Sequence, residues 1–314
     1  MNYKNKNYLN PGWFIAGFVD AEGCFRVSII KNKNYESSLK NRTALPLKVR
    51  LYFQIGLHRK DEDILELIRS SLGVGKIYRS RSNSSELQIS SFKDLGAVIN
   101  YFDKYPLITQ KLSDYLLFKQ AYELIKNKEH LTHEGLSKIV AIKASVNKGL
   151  PDQLREAFPD VEPMDRPLVV NKEIPDPSWL SGFTSGEGSF LVRVFLSSHH
   201  TTGYQTQLRF QLTQQDRDLE LMESIIKYLG CGRISKRGDD IIDVHVTKIS
   251  EIVENIIPFF EKYPVIGVKR DNFKDFVKVA GLMQEKAHLT KEGLEEIRKI
   301  QQGMNSYRES STQS

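Results

Sequence analysis

The strongest constraint on this chain is that it contains itself twice. Pro11-Gly12-Trp13-Phe14-Ile15-Ala16-Gly17-Phe18-Val19-Asp20-Ala21-Glu22-Gly23-Cys24-Phe25 returns as Pro177-Ser178-Trp179-Leu180-Ser181-Gly182-Phe183-Thr184-Ser185-Gly186-Glu187-Gly188-Ser189-Phe190. Further along, Phe53-Gln54 returns as Phe210-Gln211, Leu72-Gly73 as Leu229-Gly230, Tyr105-Pro106 as Tyr263-Pro264, and His130-Leu131-Thr132 as His288-Leu289-Thr290. The offset is 165 residues from Glu22 to Glu187, 157 from Gln54 to Gln211 and 158 from Lys111 to Lys269. A repeat of this length sets the architecture before any local pattern is read. The expected division is a first half at 1–148, a linker at 149–177 and a second half at 178–314.

Each half reads as helix, strands, helix, strands, helices. Asn10-Pro11 and Asp176-Pro177 each have the form of an N-cap followed by proline at the first helical position. Residues 24–30, 47–55, 189–195 and 205–213 alternate with the period of two that marks a strand. Residues 61–72 and 218–229 carry apolar side chains at helical spacing, and 75–80 with 86–90 and 232–236 with 241–247 read as strand pairs. Strands and helices do not alternate as in a parallel sheet, so the expected class is α+β, an antiparallel sheet with helices on one face. The linker carries Pro151, Pro159, Pro163, Pro167, Pro175 and Pro177, which excludes a continuous helix through it.

Helices on one face leave the other open, and its side chains indicate what covers it. In 47–54 the core positions are Leu47, Val49, Leu51 and Phe53, and the outward positions are Lys48, Arg50, Tyr52 and Gln54. The second copy turns Gln205, Gln207, Arg209 and Gln211 outward. The strands after the two glutamates add Arg26, Ser28 and Asn32, then Ser189 and Arg193. The hairpins add Lys76, Tyr78, Arg79, Arg81 and Gln88, then Arg233, Lys236, Arg237 and His245. The chain has 45 Lys and Arg against 39 Asp and Glu, a net charge of +6, and these faces are expected to carry almost no Asp or Glu. Such side chains reach base edges and phosphates of duplex DNA, and an antiparallel ribbon fits the major groove. A nine-residue strand spans ~30 Å, or about nine base pairs, so two copies would cover roughly 18–20 base pairs. Because the outward residues differ between copies, the expected site is long and asymmetric.

Glu22 and Glu187 occupy one repeated place, each five residues after a glycine, Gly17 and Gly182. Small residues four apart (Gly17 with Ala21, Gly182 with Gly186) share a helix face and permit close backbone approach. If the two helices pack through those faces, both carboxylates meet at negative helix ends, and a divalent cation with oxygen ligands, Mg²⁺, relieves the repulsion. Beside a DNA backbone such a pair suits metal-assisted phosphodiester hydrolysis. Taken singly, each glutamate would read as an exposed helix end.

The stretches Ile15–Gly23 and Leu180–Gly188 resemble the nine-residue signature of the LAGLIDADG homing endonucleases, and the chain most resembles the single-chain, two-motif members encoded in fungal mitochondrial introns, the Onu-type meganucleases. The resemblance runs from about residue 11 to about residue 305. It implies two pseudo-symmetric αββαββα halves, the motif helices at their interface and the sheets forming a DNA saddle. It implies that Glu22 and Glu187 bind the catalytic metals with the backbone carbonyls of Ala21 and Gly186. Lys111 and Lys269 match a lysine that polarises the water network, and Gln214 matches an assisting glutamine whose counterpart here is Leu57. The implied reaction is Mg²⁺-dependent cleavage of both strands across the minor groove with short 3′ extensions. Mn²⁺ is expected to substitute and Ca²⁺ to bind without efficient cleavage. The implied partner is double-stranded DNA bound by a monomer, with intron RNA (a maturase role) or DNA binding without cleavage as alternatives, and the implied location is the mitochondrion.

Other features point to less. Cys24 and Cys231 are too few for a disulfide framework. No apolar run approaches the ~20 residues of a membrane span, and the first residues carry no secretory apolar core. Of His130 and His133, only His130 recurs, as His288, so a repeated turn contact is expected there and not a metal site.

Overall fold

The computed structural model describes residues 8–31, 47–170, 172–199 and 202–304. The first copy runs α1 (Pro11–Glu22), β1 (Gly23–Lys31), β2 (Leu47–His58), α2 (Glu62–Leu72), β3 (Lys76–Arg79), β4 (Ser84–Ile89), α3 (Phe92–Lys104), α4 (Lys111–Lys126) and α5 (His133–Ser145). A six-residue helix, α6 (Asp152–Ala157), interrupts the proline-rich stretch. The second copy runs α7 (Pro177–Glu187), β5 (Gly188–Leu196), β6 (Tyr204–Gln215), α8 (Leu219–Leu229), β7 (Arg233–Lys236) and β8 (Ile241–Val246). It continues through α9 (Ile249–Glu251), a π turn (Ile252–Ile256), α10 (Ile257–Lys262), α11 (Val268–Gln284) and α12 (Lys291–Gln302). Each copy builds one antiparallel four-stranded sheet, ordered β1-β2-β4-β3 and β5-β6-β8-β7. The chain belongs to the α+β class.

The compact units do not coincide with the copies. One unit holds the chain from Gly23 into the proline-rich stretch, up to residue 171; the other joins the residues up to Glu22 to those from Lys172 onward. In the first, β1 and β2 pair from Gly23 with Ile55 to Lys31 with Leu47. Phe25, Phe53, Phe102, Tyr115 and Phe118 form a ring cluster under this sheet, with Phe25 and Phe53 centroids 5.2 Å apart. The proline-rich stretch is anchored to α4 and α5 of this unit. Met164 N donates to Ala141 O at 3.1 Å, Ser113 Oγ to Pro167 O at 2.6 Å, and Arg166 to Asp114 at 2.8 Å.

In the other unit, Phe190, Phe210, Phe260, Phe273 and Phe276 repeat the ring cluster place by place. Lys172 and Asp218, 8% and 2% exposed, form a buried ion pair at 3.5 Å where the chain enters this unit. Helix starts follow the expected caps: Asn10 Oδ1 accepts from Gly12 N at 3.0 Å and Asp176 Oδ1 from Ser178 N at 2.7 Å. Thr290 Oγ1 accepts from Gly293 N at 3.1 Å to cap α12, as Thr132 Oγ1 does from Gly135 N at 3.0 Å for α5. The repeated His-Leu-Thr element is thus a turn and cap. Pro258 lacks the N–H that a regular helix would donate one turn back, and the π turn absorbs that defect.

The central contact of this unit is helix on helix. α1 packs along α7, and a Cβ placed on Gly17 would overlap the Trp179 carbonyl and lie 2.9 Å from Phe183 N. Gly182 meets the Phe14 carbonyl and Phe18 N in the mirrored way. Backbones approach this closely only where no side chain intervenes. Gly17→Ala or Gly182→Ala is expected to destabilise the protein by about 3 kcal/mol or more through overpacking. Gly56→Ala, with open space around it, is expected to change stability little. Thermal unfolding of the three variants checks the contrast.

Candidate active site and nucleic-acid face

The close approach of α1 and α7 carries both glutamates to helix ends that touch. A Cβ on Gly186 would press on the Ala21 methyl and lie 3.2 Å from Glu22 Cγ and 3.6 Å from Glu22 Oε1. The Glu22 carboxylate therefore stands beside Gly186, the residue before Glu187. Glu22 is exposed and Glu187 half-buried. Lys269, second residue of α11, donates from Nζ to the Gly186 carbonyl oxygen. A carbonyl has two acceptor directions, so this bond leaves one available. Only a glycine at 186 leaves the space beside Glu22, and carboxylate and carbonyl oxygens are the hard donors that Mg²⁺ takes. Among the described residues, no three His, Cys, Asp or Glu side chains gather into a metal cluster.

The other acid of the first motif has another task. Asp20 is 2% exposed and accepts from Trp179 Nε1 at 2.8 Å, tying α1 to α7. In the second motif Ser185 stands in its place, donating to Ser181 O at 2.9 Å and accepting from Ile266 N at 3.1 Å. The lost acid thus falls at a packing position.

Lys111 opens α4, with its backbone N–H donating to Thr109 Oγ1 at 3.2 Å. It lies near enough to Cys24 to oppose the upward push that burial gives that thiol. Burial also pushes the Cys231 thiol up, to about 11, so both cysteines remain thiols at neutral pH. Gln214 pairs with Ile242 on the helix-covered side of its sheet, and its Oε1 accepts from Gln215 N at 2.9 Å. Leu57, its counterpart, pairs with Ser85.

The open faces follow the expected alternation in the long strands. Arg26, Lys48, Arg50 and Arg193 are exposed, while Ser28, Tyr52, Gln54, Gln88, Ser189, Gln205, Gln207, Arg209 and His245 are half-buried. Arg26 lies over the Tyr52 ring at 5.8 Å. In the hairpins Lys76 pairs with Gln88 and Arg233 with His245, on the open faces; Tyr78 and Arg237 also stand there, Arg237 3.8 Å from Asp243. Arg209 has its Nε buried without an acceptor, and burial and the Arg193 charge push its guanidinium down. Burial, then Arg209 and Arg233, push the His245 imidazole down, so it is neutral at pH 7.

Three positions differ from expectation. Lys236 pairs with buried Ile242, so its register places it on the helix side and Ser235 takes the open-face position. Its counterpart Arg79 likewise turns away from the open face and binds Glu62 of α2 with a 3.0 Å Nε bond, holding that carboxyl down at about 2. Gln211 faces outward but is only 9% exposed, covered by bonds to Thr213 and Asp243. Asn32 lies outside the described residues. The sequence reading also missed two acids on these faces, Glu86 and Asp243, separated by the same 157 residues as Gln54 and Gln211.

The family model for LAGLIDADG endonucleases matches residues 15–122 and 180–280. "Probable intron-encoded endonuclease 3" of Neurospora crassa is 39% identical over 94% of this chain and 54% of its own length, and "Probable intron-encoded endonuclease 2" of the same fungus is 36% identical over 92% and 64%. The chain thus spans between half and two thirds of these relatives. The LAGLIDADG homing endonuclease I-SmaMI, solved bound to cleaved DNA, superposes with a TM-score of 0.90 at 45% identity, covering 96% of this chain and 99% of that one. The same enzyme has been solved on uncleaved DNA target in the presence of calcium ions. This chain belongs to the LAGLIDADG endonuclease family. Among its described residues, no helix is long and apolar enough to cross a membrane.

If Asp20 serves packing, Trp179→Phe should cost about 2 kcal/mol by removing a bond to a buried carboxylate. Asp20→Asn keeps an acceptor and should cost less. Thermal unfolding gives the costs, and cleavage by Asp20→Asn within a few-fold of the parent would separate Asp20 from the metal pair.

Proposed function

We propose that this protein is a site-specific, metal-dependent endonuclease that hydrolyses both strands of a long asymmetric duplex DNA target and leaves 3′ extensions. The observation that carries the reading is the contact of the two motif-helix ends, with the Glu22 carboxylate beside Gly186 and Lys269 on the Gly186 carbonyl. Such an arrangement of carboxylates, carbonyls and a lysine suits hydrolysis of a phosphodiester. Family membership and the I-SmaMI complexes with DNA support the same conclusion.

Glu22 and Glu187, with the carbonyls of Ala21 and Gly186, would hold Mg²⁺, or Mn²⁺ in its place. When bound, the metal supplies Lewis acidity for activating water and stabilising the leaving oxygen. Lys269 places a positive charge where the phosphate gains negative charge, and the repeat assigns Lys111 the same task. The open faces hold the duplex through phosphate contacts from Lys48, Arg50, Arg193 and Arg233 and through base-edge contacts from the glutamines, Tyr52 and His245. The unpartnered Arg209 Nε is a donor ready for a DNA acceptor. Binding as a monomer follows from having both motifs on one chain, and asymmetry follows from outward residues that differ between the sheets. The intron-encoded relatives support an organellar origin. No observation favours intron RNA over DNA as the partner.

Cleavage of a randomised duplex library in Mg²⁺ is expected to converge on one asymmetric sequence with 3′ overhangs. Glu22→Gln and Glu187→Gln should each lower cleavage at least ~10³-fold while binding in Ca²⁺ stays within a few-fold, and Lys269→Ala should slow cleavage more than it weakens binding. Arg50→Ala and Arg209→Ala should weaken binding and reduce its salt dependence. Undiminished cutting by Glu22→Gln would remove the site from these helices, and enrichment of bound DNA without cutting would make the protein a DNA-binding relative.

A further inference from the structure

The open face of the first sheet is basic and amide-rich, yet it holds a carboxylate with nothing closing it off. Glu86 stands on β4, opposite Gly56 of β2 and Tyr78 of β3. Its neighbours Ser85 and Leu87 are buried on the helix side, so the Glu86 side chain belongs to the open face, where it is half-buried. Oε1 accepts from Gln54 Nε2 at 2.9 Å. Oε2 has no partner among the described residues.

Asp243 occupies the same place in the second sheet, and there the carboxylate is sealed. It is 4% exposed; Gln211 Nε2 and Thr213 Oγ1 donate to Oδ1 at 3.0 and 2.6 Å, and Arg237 stands 3.8 Å from Oδ2. The difference traces to two repeat positions: Arg237, which faces Oδ2, is replaced by Ser80 in the first sheet, and Thr213 is replaced by glycine. Where the second sheet has Thr213, the first has Gly56, and a Cβ built there meets nothing within 4 Å. The same acid is therefore an internal brace for Gln211 in one sheet and an accessible acceptor in the other.

An accessible carboxylate on a surface that meets polyanionic DNA is repelled by phosphates and can bond only to a donor. In the major groove the donors are the exocyclic amino groups of cytosine and adenine; guanine and thymine offer acceptors there. We propose that Glu86 is a specificity-determining residue: its free oxygen accepts from a cytosine N4 or adenine N6 amino group, while its other oxygen fixes the amide orientation of Gln54. The inference rests on the DNA-endonuclease reading. Asp243 and Thr213 make no base contact in this account and act on Gln211 as positioning residues.

Glu86→Gln gives a test that a structural role would not pass. The new amide keeps an oxygen for Gln54 Nε2 and turns its own amino group outward, replacing the free acceptor with a donor. Base preference is read at every site position by enrichment of randomised duplex DNA in Ca²⁺. The parent is expected to prefer cytosine or adenine over guanine and thymine by roughly tenfold at one position, and Glu86→Gln to shift that position toward guanine or thymine by a similar factor. Gly56→Thr combined with Ser80→Arg, which imports both parts of the seal of the second sheet, should weaken the preference at that same position without reversing it. A parent preference for guanine or thymine at the position that responds would overturn the proposal, as would a Glu86→Gln profile unchanged throughout. If the parent enriches no DNA sequence, the endonuclease reading falls and the proposal with it; in the other two failures that reading stands.

Discussion

Two glycines set against two carbonyls hold the two motif helices together. Gly17 lies on the Trp179 carbonyl and Gly182 on that of Phe14, so α1 and α7 meet backbone to backbone. Only at that separation can a residue at the end of one helix share a donor set with a residue at the end of the other. Ile15, Phe18, Val19, Trp179, Leu180 and Phe183 are all buried around the contact, so it is dry as well as close. The acids at its end occupy an electrostatically poor place, where negative helix termini and two carboxylates converge. Lys269 on the Gly186 carbonyl places a positive charge there.

Duplication made the two halves alike where packing is concerned and let them diverge where contact with a ligand is concerned. The ring clusters repeat one for one, as do the left-handed glycine caps at Gly73 and Gly230, with φ of 71° and 69°. Apart from Gln54 and Gln211, outward positions of these strands do not repeat: Arg50 corresponds to Gln207, Tyr52 to Arg209, and Gly56 to Thr213. Even within the motif helices, Asp20 binds Trp179 while Ser185 binds Ser181 and Ile266.

Much of this was legible in the sequence because the long elements carry their own phase. Nine to twelve alternating residues in β1, β2, β5 and β6 leave no doubt about which face is which, and Asn10-Pro11 and Asp176-Pro177 announce their helices. The four-residue strands β3 and β7 are too short for that, and Lys236 and Arg79 landed on the other face once pairing with β8 and β4 set their register. Glu86 and Asp243 stand two residues before Gln88 and His245, so the alternation of β4 and β8 already placed them on the open faces. The repeat offset would have found them, since a pair of acids 157 residues apart matches the spacing of the glutamines they hold. The role of Asp20 was invisible for another reason, since its partner Trp179 is 159 residues away.

The path of the chain has a consequence for the order of events at the ribosome. α1 is made first, yet its partner α7 begins 155 residues after Glu22, and both belong to the unit completed by later residues. At ~5–20 residues per second, α1 waits about 8–30 s for the helix that covers its apolar face. Until then Glu22 has no second carboxylate beside it, and a nascent or truncated first copy holds an open sheet without the paired helix ends. The continuous connection thus acts as a timer: the two motif-helix ends can meet only after α7 has been synthesised, by which time the first sheet has already had its chance to fold.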